Sequence, residues 1–118
     1  MVTLEQLAEA ALNRDNLRLR SLAQDWLREN PRLSDTPRPN TPDPRLLAVA
    51  ASLIELFAQR GRQTPPTWAK EVGPLPEPIF LVESAASMKR LRALCETQAP
   101  EPLRKRRLYA PPNFLEFA

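Results

Sequence analysis

Fourteen prolines and only two glycines stand in this 118-residue chain. A proline fixes φ at about −65° and removes a backbone donor, so helices cannot run through it and sheets tolerate it only at their edges. The chain is therefore cut into short elements. With so few glycines, it has few places for a tight backbone cradle.

The first elements read as a helical hairpin. Leu4, Leu7, Ala8, Ala11 and Leu12 recur at the spacing of one helix face over residues 3–13. Thr3-Leu4-Glu5-Gln6 matches a capping box, with Thr3 as N-cap and Gln6 reaching back. Leu19, Leu22, Ala23, Trp26 and Leu27 repeat the pattern. One continuous helix would put Asp15 and Arg18 into the apolar stripe, so the spacing predicts two helices separated at Asn13–Asn16. From Asn30 to Pro44, prolines 31, 37, 39, 42 and 44 alternate with polar residues, which predicts an extended tether.

Asp43-Pro44 opens the strongest helix, residues 44–60, with a capping carboxylate followed by proline at the first helical position. Leu46, Leu47, Val49, Ala50, Leu53, Ile54, Leu56 and Phe57 cover most of its circumference, as in a helix at the centre of a core. Gly61 follows as the expected C-cap. Residues 65–72 predict one or two helical turns, stopped by the proline-rich run 73–78. Ile79-Phe80-Leu81-Val82 is a short apolar run, extended or simply buried. A last helix over residues 85–98, capped by Ser84 or Ser87, would turn Met88, Leu91, Leu94 and Cys95 inward.

The expected fold is all-α, a small helical domain of about five short helices with proline-rich extended connections. Its parts are an N-terminal helical hairpin (1–29), a proline-rich linker (30–43), and a helical core with a basic, apolar-tipped C-terminal segment (44–118).

Net charge is +3 but unevenly placed. Residues 84–108 carry seven cations against two carboxylates, a net +5, whereas the remainder is −2. The basic character is local, and so directs the choice of partner. The sequence shows neither a secretory signal nor an apolar run long enough to span a bilayer, and its single cysteine excludes an internal disulfide. A cytoplasmic protein without membrane contact is the expectation.

Catalytic chemistry finds little to work with. Histidine is absent, which removes the commonest general acid–base group and metal ligand. Cys95 has no activating base in sight and reads as a structural thiol on an apolar stripe. The carboxylate pairs Asp25/Glu29 and Glu5/Glu9 lie one helical turn apart, but no third acid accompanies them. Gly61 and Gly73 are isolated, so no phosphate-binding loop is present. The expectation is a non-enzymatic binding protein with no metal and no cofactor.

Candidate partner-binding residues concentrate toward the C-terminus. Arg104, Lys105, Arg106 and Arg107 form a basic run that can face an acidic protein surface or a phosphate backbone, with Tyr109 beside it able to stack on a base. Phe114, Leu115 and Phe117 make an apolar tail that either folds onto its own core or inserts into a partner groove. Trp68, in a proline-rich element, is a candidate interface anchor. Two alternatives stand beside a protein-binding role: a nucleic-acid-associated accessory protein using residues 89–109, and a structural subunit of a larger assembly.

An ordered set of motifs supplies a candidate partner. Leu12-Asn13-Arg14-Asp15 leads to an Arg/Leu helix ending in Trp26-Leu27-Arg28, followed by an Asp-Pro helix rich in Ala and Leu. Then come Pro66-Thr67-Trp68, Pro76-Glu77-Pro78-Ile79-Phe80, and Pro102-Leu103-Arg104-Lys105-Arg106-Arg107 running into Leu108-Tyr109-Ala110. This set resembles a family of small bacterial antitoxin-like proteins encoded upstream of nucleotidyltransferase-like toxins of the abortive-infection type. The resemblance implies a cognate nucleotidyltransferase-like partner, neutralised by occlusion and not by chemistry. Against such a partner, cation density next to an apolar terminus leads us to expect the basic run to face its metal-binding carboxylates or its nucleotide cleft, with the aromatic tail anchored beside it.

Overall fold

The structure is a computed structural model, and it describes residues 1–116. Its secondary structure is all-α but for one pair of two-residue strands. Six α-helices occur among the described residues: α1 (Leu4–Leu12), α2 (Asn16–Glu29), α3 (Pro44–Arg60), α4 (Thr67–Lys70), α5 (Lys89–Gln98) and α6 (Glu101–Arg104). Single 3₁₀ turns sit at Leu33–Asp35 and Glu83–Ala86. The strands β1 (Ile79–Phe80) and β2 (Leu108–Tyr109) pair in parallel, with Ile79 opposite Leu108 and Phe80 opposite Tyr109.

The local signals explain the helix starts. At α1 both halves of the capping box form: the Gln6 amide donates to Thr3 Oγ1, and the Thr3 amide donates to Gln6 Oε1. Asp15 caps α2 by accepting from the Arg18 amide, so the charge that broke the apolar stripe becomes the start of a new helix. Asp43 accepts from the Arg45 amide, with Pro44 at the first helical position of α3. Ser84 and Ser87 do not cap α5, which begins after Met88 without a side-chain cap because the preceding residues turn as a 3₁₀ helix. Met88 consequently stays exposed, Leu91 and Leu94 are half-buried, and only Cys95 of that stripe is fully enclosed.

The helix ends follow a different rule from the expected one. Gly61 has φ −90°, and the left-handed position falls one residue later, at Arg62 (φ 54°). The Gln63 amide donates to Ala58 O at 2.8 Å and the Arg62 amide to Gln59 O at 3.4 Å, the paired bonds of a Schellman motif. The same pair closes α1 through Arg14 (φ 58°), where Asp15 donates to Ala10 O and Arg14 to Ala11 O. Arg107 (φ 66°) turns the chain after α6. Arginines thus take three positions where glycine carries no Cβ penalty.

α3 is the centre of the core. Every residue from Ala48 to Ala58 is buried, including Ser52 and Glu55. α1 packs along one side of it, and α4 and α6 along others. One apolar cluster joins residues from Leu4 to Leu115 and takes in Trp26, Leu33, Leu81 and Leu108. Each large aliphatic side chain enclosed there contributes about 1.5–3 kcal/mol. The 30–43 segment is not a bare tether: Leu33 is buried, and Gln63 accepts from the Leu33 amide at 3.1 Å.

Arg62→Gly removes the left-handed strain without touching a core contact, since Arg62 is exposed. It is expected to raise stability by about 0.5–1 kcal/mol, read as a higher urea midpoint at unchanged slope.

Candidate functional site: the basic, aromatic C-terminal third

The four residues of the basic run have four different fates. Arg106 is 1% exposed. Its Nε donates to Val72 O at 3.0 Å, Nη2 to Ala69 O at 2.6 Å, and Nη1 to Pro102 O at 2.9 Å and to Ser52 Oγ at 3.4 Å. Nη1 also lies 2.5 Å from Glu55 Oε1. Sequence reasoning grouped Arg106 with the partner-facing cations, and the structure puts it in the interior instead. The reason is chemical. α4 is four residues long and closes with only short-range backbone bonds to its end carbonyls, and a guanidinium offers five N–H donors in a planar fork that meets several acceptors at once.

Lys105 is partly exposed and pairs with Glu55 Oε1 at 3.0 Å. Arg107 donates from Nη1 to Pro76 O at 2.6 Å. Arg104 donates from Nη1 to Thr97 O at 2.7 Å and remains exposed. Burial of Glu55 raises its pKa, but Arg106 and Lys105 more than offset this, and its carboxyl titrates below the ordinary glutamate value of 4.5. The geometry at Oε1 is that of an ion pair between two cations, without a well-aligned hydrogen bond.

The tail folds back. Phe114 and Leu115 are 6% and 7% exposed and belong to the central cluster. Arg60 Nη1 secures them by donating to Phe114 O at 2.6 Å. Both residues are therefore filled by the chain's own core and are not open to a partner. Phe117 lies outside the described residues. Trp68 is half-buried against the core, and its indole N–H donates to Thr36 O at 2.8 Å, pinning the 30–43 segment.

What remains at the surface is an aromatic pair with cations around it. Tyr109 and Phe80 sit side by side across the strand pair, rings 5.3 Å apart and tilted by 35°. Arg92 of α5 lies over the Phe80 ring at 5.0 Å, and its Nε is held 3.1 Å from Glu96. Lys89, three residues earlier, shares the side of the helix that carries Arg92. Lys89 and Arg90 are exposed and have no carboxylate partner among the described residues. Phe80 was missed as a site residue because a four-residue apolar run does not say which of its members faces out. The one available signal was the parallel spacing of Ile79-Phe80 and Leu108-Tyr109, which only a known pairing would expose.

Phe80 also borders a cleft of about 830 Å³ between β1, the end of α1 and the start of α3, walled by Glu9, Arg14, Leu46, Pro78 and Glu83. Cys95 is fully enclosed, and burial, with Glu96 alongside, pushes its thiol pKa up, away from an activated thiolate. Among the described residues no group of three or more Cys, Asp or Glu side chains is arranged to hold a metal ion. The carboxylates one helical turn apart have their own contacts, Asp25 with Arg28 and Glu29 with the Val2 amide. Among the described residues no helix is long and apolar enough to cross a membrane. The chain matches no protein-family model, no curated protein and no solved structure.

Two outcomes test the interior ion pair. Arg106→Ala leaves the Glu55 carboxylate enclosed with Lys105 alone and is expected to destabilise by about 3–5 kcal/mol in urea unfolding. Because Glu55 titrates low in the folded state, its contribution is complete above 4.5 and is lost as pH falls through the folded pKa. Urea midpoints measured from about pH 7 down to about pH 3 should fall more steeply for the wild type than for Glu55→Gln.

Proposed function

We propose that this protein is a cytoplasmic, non-enzymatic binding protein, an antitoxin-like component that engages and neutralises a nucleotidyltransferase-like toxin. The observation that carries a binding role is the half-exposed Phe80–Tyr109 pair on the paired strands, with Arg92 over the Phe80 ring, in a C-terminal third whose Lys89, Arg90 and Arg104 are exposed and have no carboxylate partner among the described residues. Exposed aromatics in a segment rich in cations without carboxylate partners suit an acidic protein surface, where aromatics and arginine anchor an interface and outlying charges steer it. The choice of partner rests on the ordered motifs running from Leu12-Asn13-Arg14-Asp15 to Leu108-Tyr109-Ala110.

A nucleic-acid role has fewer cations to draw on than the sequence suggests. Arg106 is enclosed, Lys105 is paired with Glu55, and Arg92 with Glu96. Phosphate contacts, and with them the steepness of salt dependence, scale with the number of available cations.

Co-expression with the product of the adjacent gene is expected to give a co-purifying complex that melts above either protein alone. Lys89→Glu with Arg90→Glu and Arg104→Glu should weaken that complex by about tenfold or more, chiefly through the association rate. A complex indifferent to the triple variant would remove this face from the interface. Sub-micromolar binding to a single-stranded oligonucleotide with a steep salt slope would favour the nucleic-acid reading instead.

A further inference from the structure

The segment Leu75–Leu81 runs along Arg106–Tyr109, with the amides of Leu75, Ile79 and Leu81 donating to the carbonyls of Arg106, Arg107 and Tyr109 at 3.1, 3.0 and 2.9 Å. In a parallel pair, alternate residues of a strand direct their backbone groups to opposite sides. Ile79 and Leu81 face β2, so the N–H and C=O of Phe80 face away from it. That outer side borders the 830 Å³ cleft. The Phe80 amide has no acceptor among the described residues, and the Phe80 carbonyl is taken by a side chain, Arg14 Nε at 3.1 Å. Pro74, Pro76 and Pro78 carry no N–H, so they blunt the rest of this edge. One backbone donor and acceptor pair is left, at the mouth of a cleft.

We infer that this edge is a docking site for a short extended segment of a partner protein, which adds as a strand beside Phe80 and displaces Arg14 from its carbonyl. An open strand edge is matched by extended backbone, which supplies the complementary acceptor and donor. The cleft specifies the rest of the occupant. Leu12, Leu46 and Ile79 offer apolar wall. Arg45 is paired with Asp43, whereas Glu9 and Glu83 have no cationic partner among the described residues. The segment therefore sets an apolar residue against that wall and a lysine or arginine against the two carboxylates. This site rests on the proposed protein-binding role and states how part of the partner is held.

The test uses the full chain and a phage-displayed library of random dodecapeptides. Selection should enrich peptides that pair an apolar residue with a nearby lysine or arginine. Their binding should protect the Phe80 amide in residue-resolved hydrogen exchange. Phe80→Pro removes the outward donor but leaves the bonds to β2, and should weaken binding by about tenfold. Phe80→Leu keeps the donor, and should bind like the wild type if the backbone is what is read. Arg14→Gly is compatible with the positive φ and frees the carbonyl, so it should tighten binding by about two- to threefold. Failure to enrich any peptide, equal binding to Phe80→Pro, or an unprotected Phe80 amide in the complex would each overturn the inference. So would Phe80 protection that rises with protein concentration alone, because a second copy would then be the occupant. The product of the adjacent gene is measured in parallel. If it binds without protecting Phe80, the proposed function stands and the edge does not; if peptides dock at Phe80 while that product fails to bind, the reverse holds.

Discussion

The pair formed by Glu55 and Arg106 ties the central helix to α4 and α6. α3 is enclosed along nearly its whole length, so a carboxylate in its middle is tolerable only with a cation brought to it. The cation that arrives also completes the backbone of two helices too short to be stable alone, through Ala69, Val72 and Pro102. From Arg106 the chain leaves α6 through the left-handed turn at Arg107. That direction lays β2 beside β1 and sets Tyr109 against Phe80. The surface aromatic pair and the cleft are thus downstream of an interior ion pair that touches neither.

Arginine also takes a role usually left to glycine. Arg14 and Arg107 occupy left-handed turns, and each reaches from its turn to a carbonyl of the 76–80 segment, Arg14 to Phe80 and Arg107 to Pro76. A glycine there would ease the turn but lose the tether. A proline-rich segment has few amides of its own, and side chains from outside must hold its carbonyls. The strain at these turns and the anchoring of the strand are two aspects of one arrangement.

The sequence made the helices legible where the deciding interactions are local. The Thr3–Gln6 box and Asp43-Pro44 act within four residues, and α1 and α3 begin where those signals place them, whereas Asp15 read only as a charge breaking the stripe and its capping of α2 appears in the structure. The candidate site was less legible. Arg104 to Arg107 read as four equal cations, because Arg106's acceptors lie far away in sequence and are carbonyls, which every residue has. Phe114 and Leu115 were ambiguous for a similar reason: an apolar tail looks the same whether its groove belongs to its own chain or another. The two-residue strands escaped notice since no periodicity can be read from two residues.

The separation between Glu55 and Arg106 has a consequence for the order of events during synthesis. The N-terminal half, with its hairpin and its most apolar helix, leaves the ribosome while the residue that must neutralise Glu55 is still untranslated. Until then the helix carries a carboxylate without its cations on a surface that has to be enclosed, and closing the core there carries the cost of an unpaired charge. A chain that ends before Lys105 and Arg106 keeps that cost, so the end of the last helix contributes to enclosing a residue in the middle of α3.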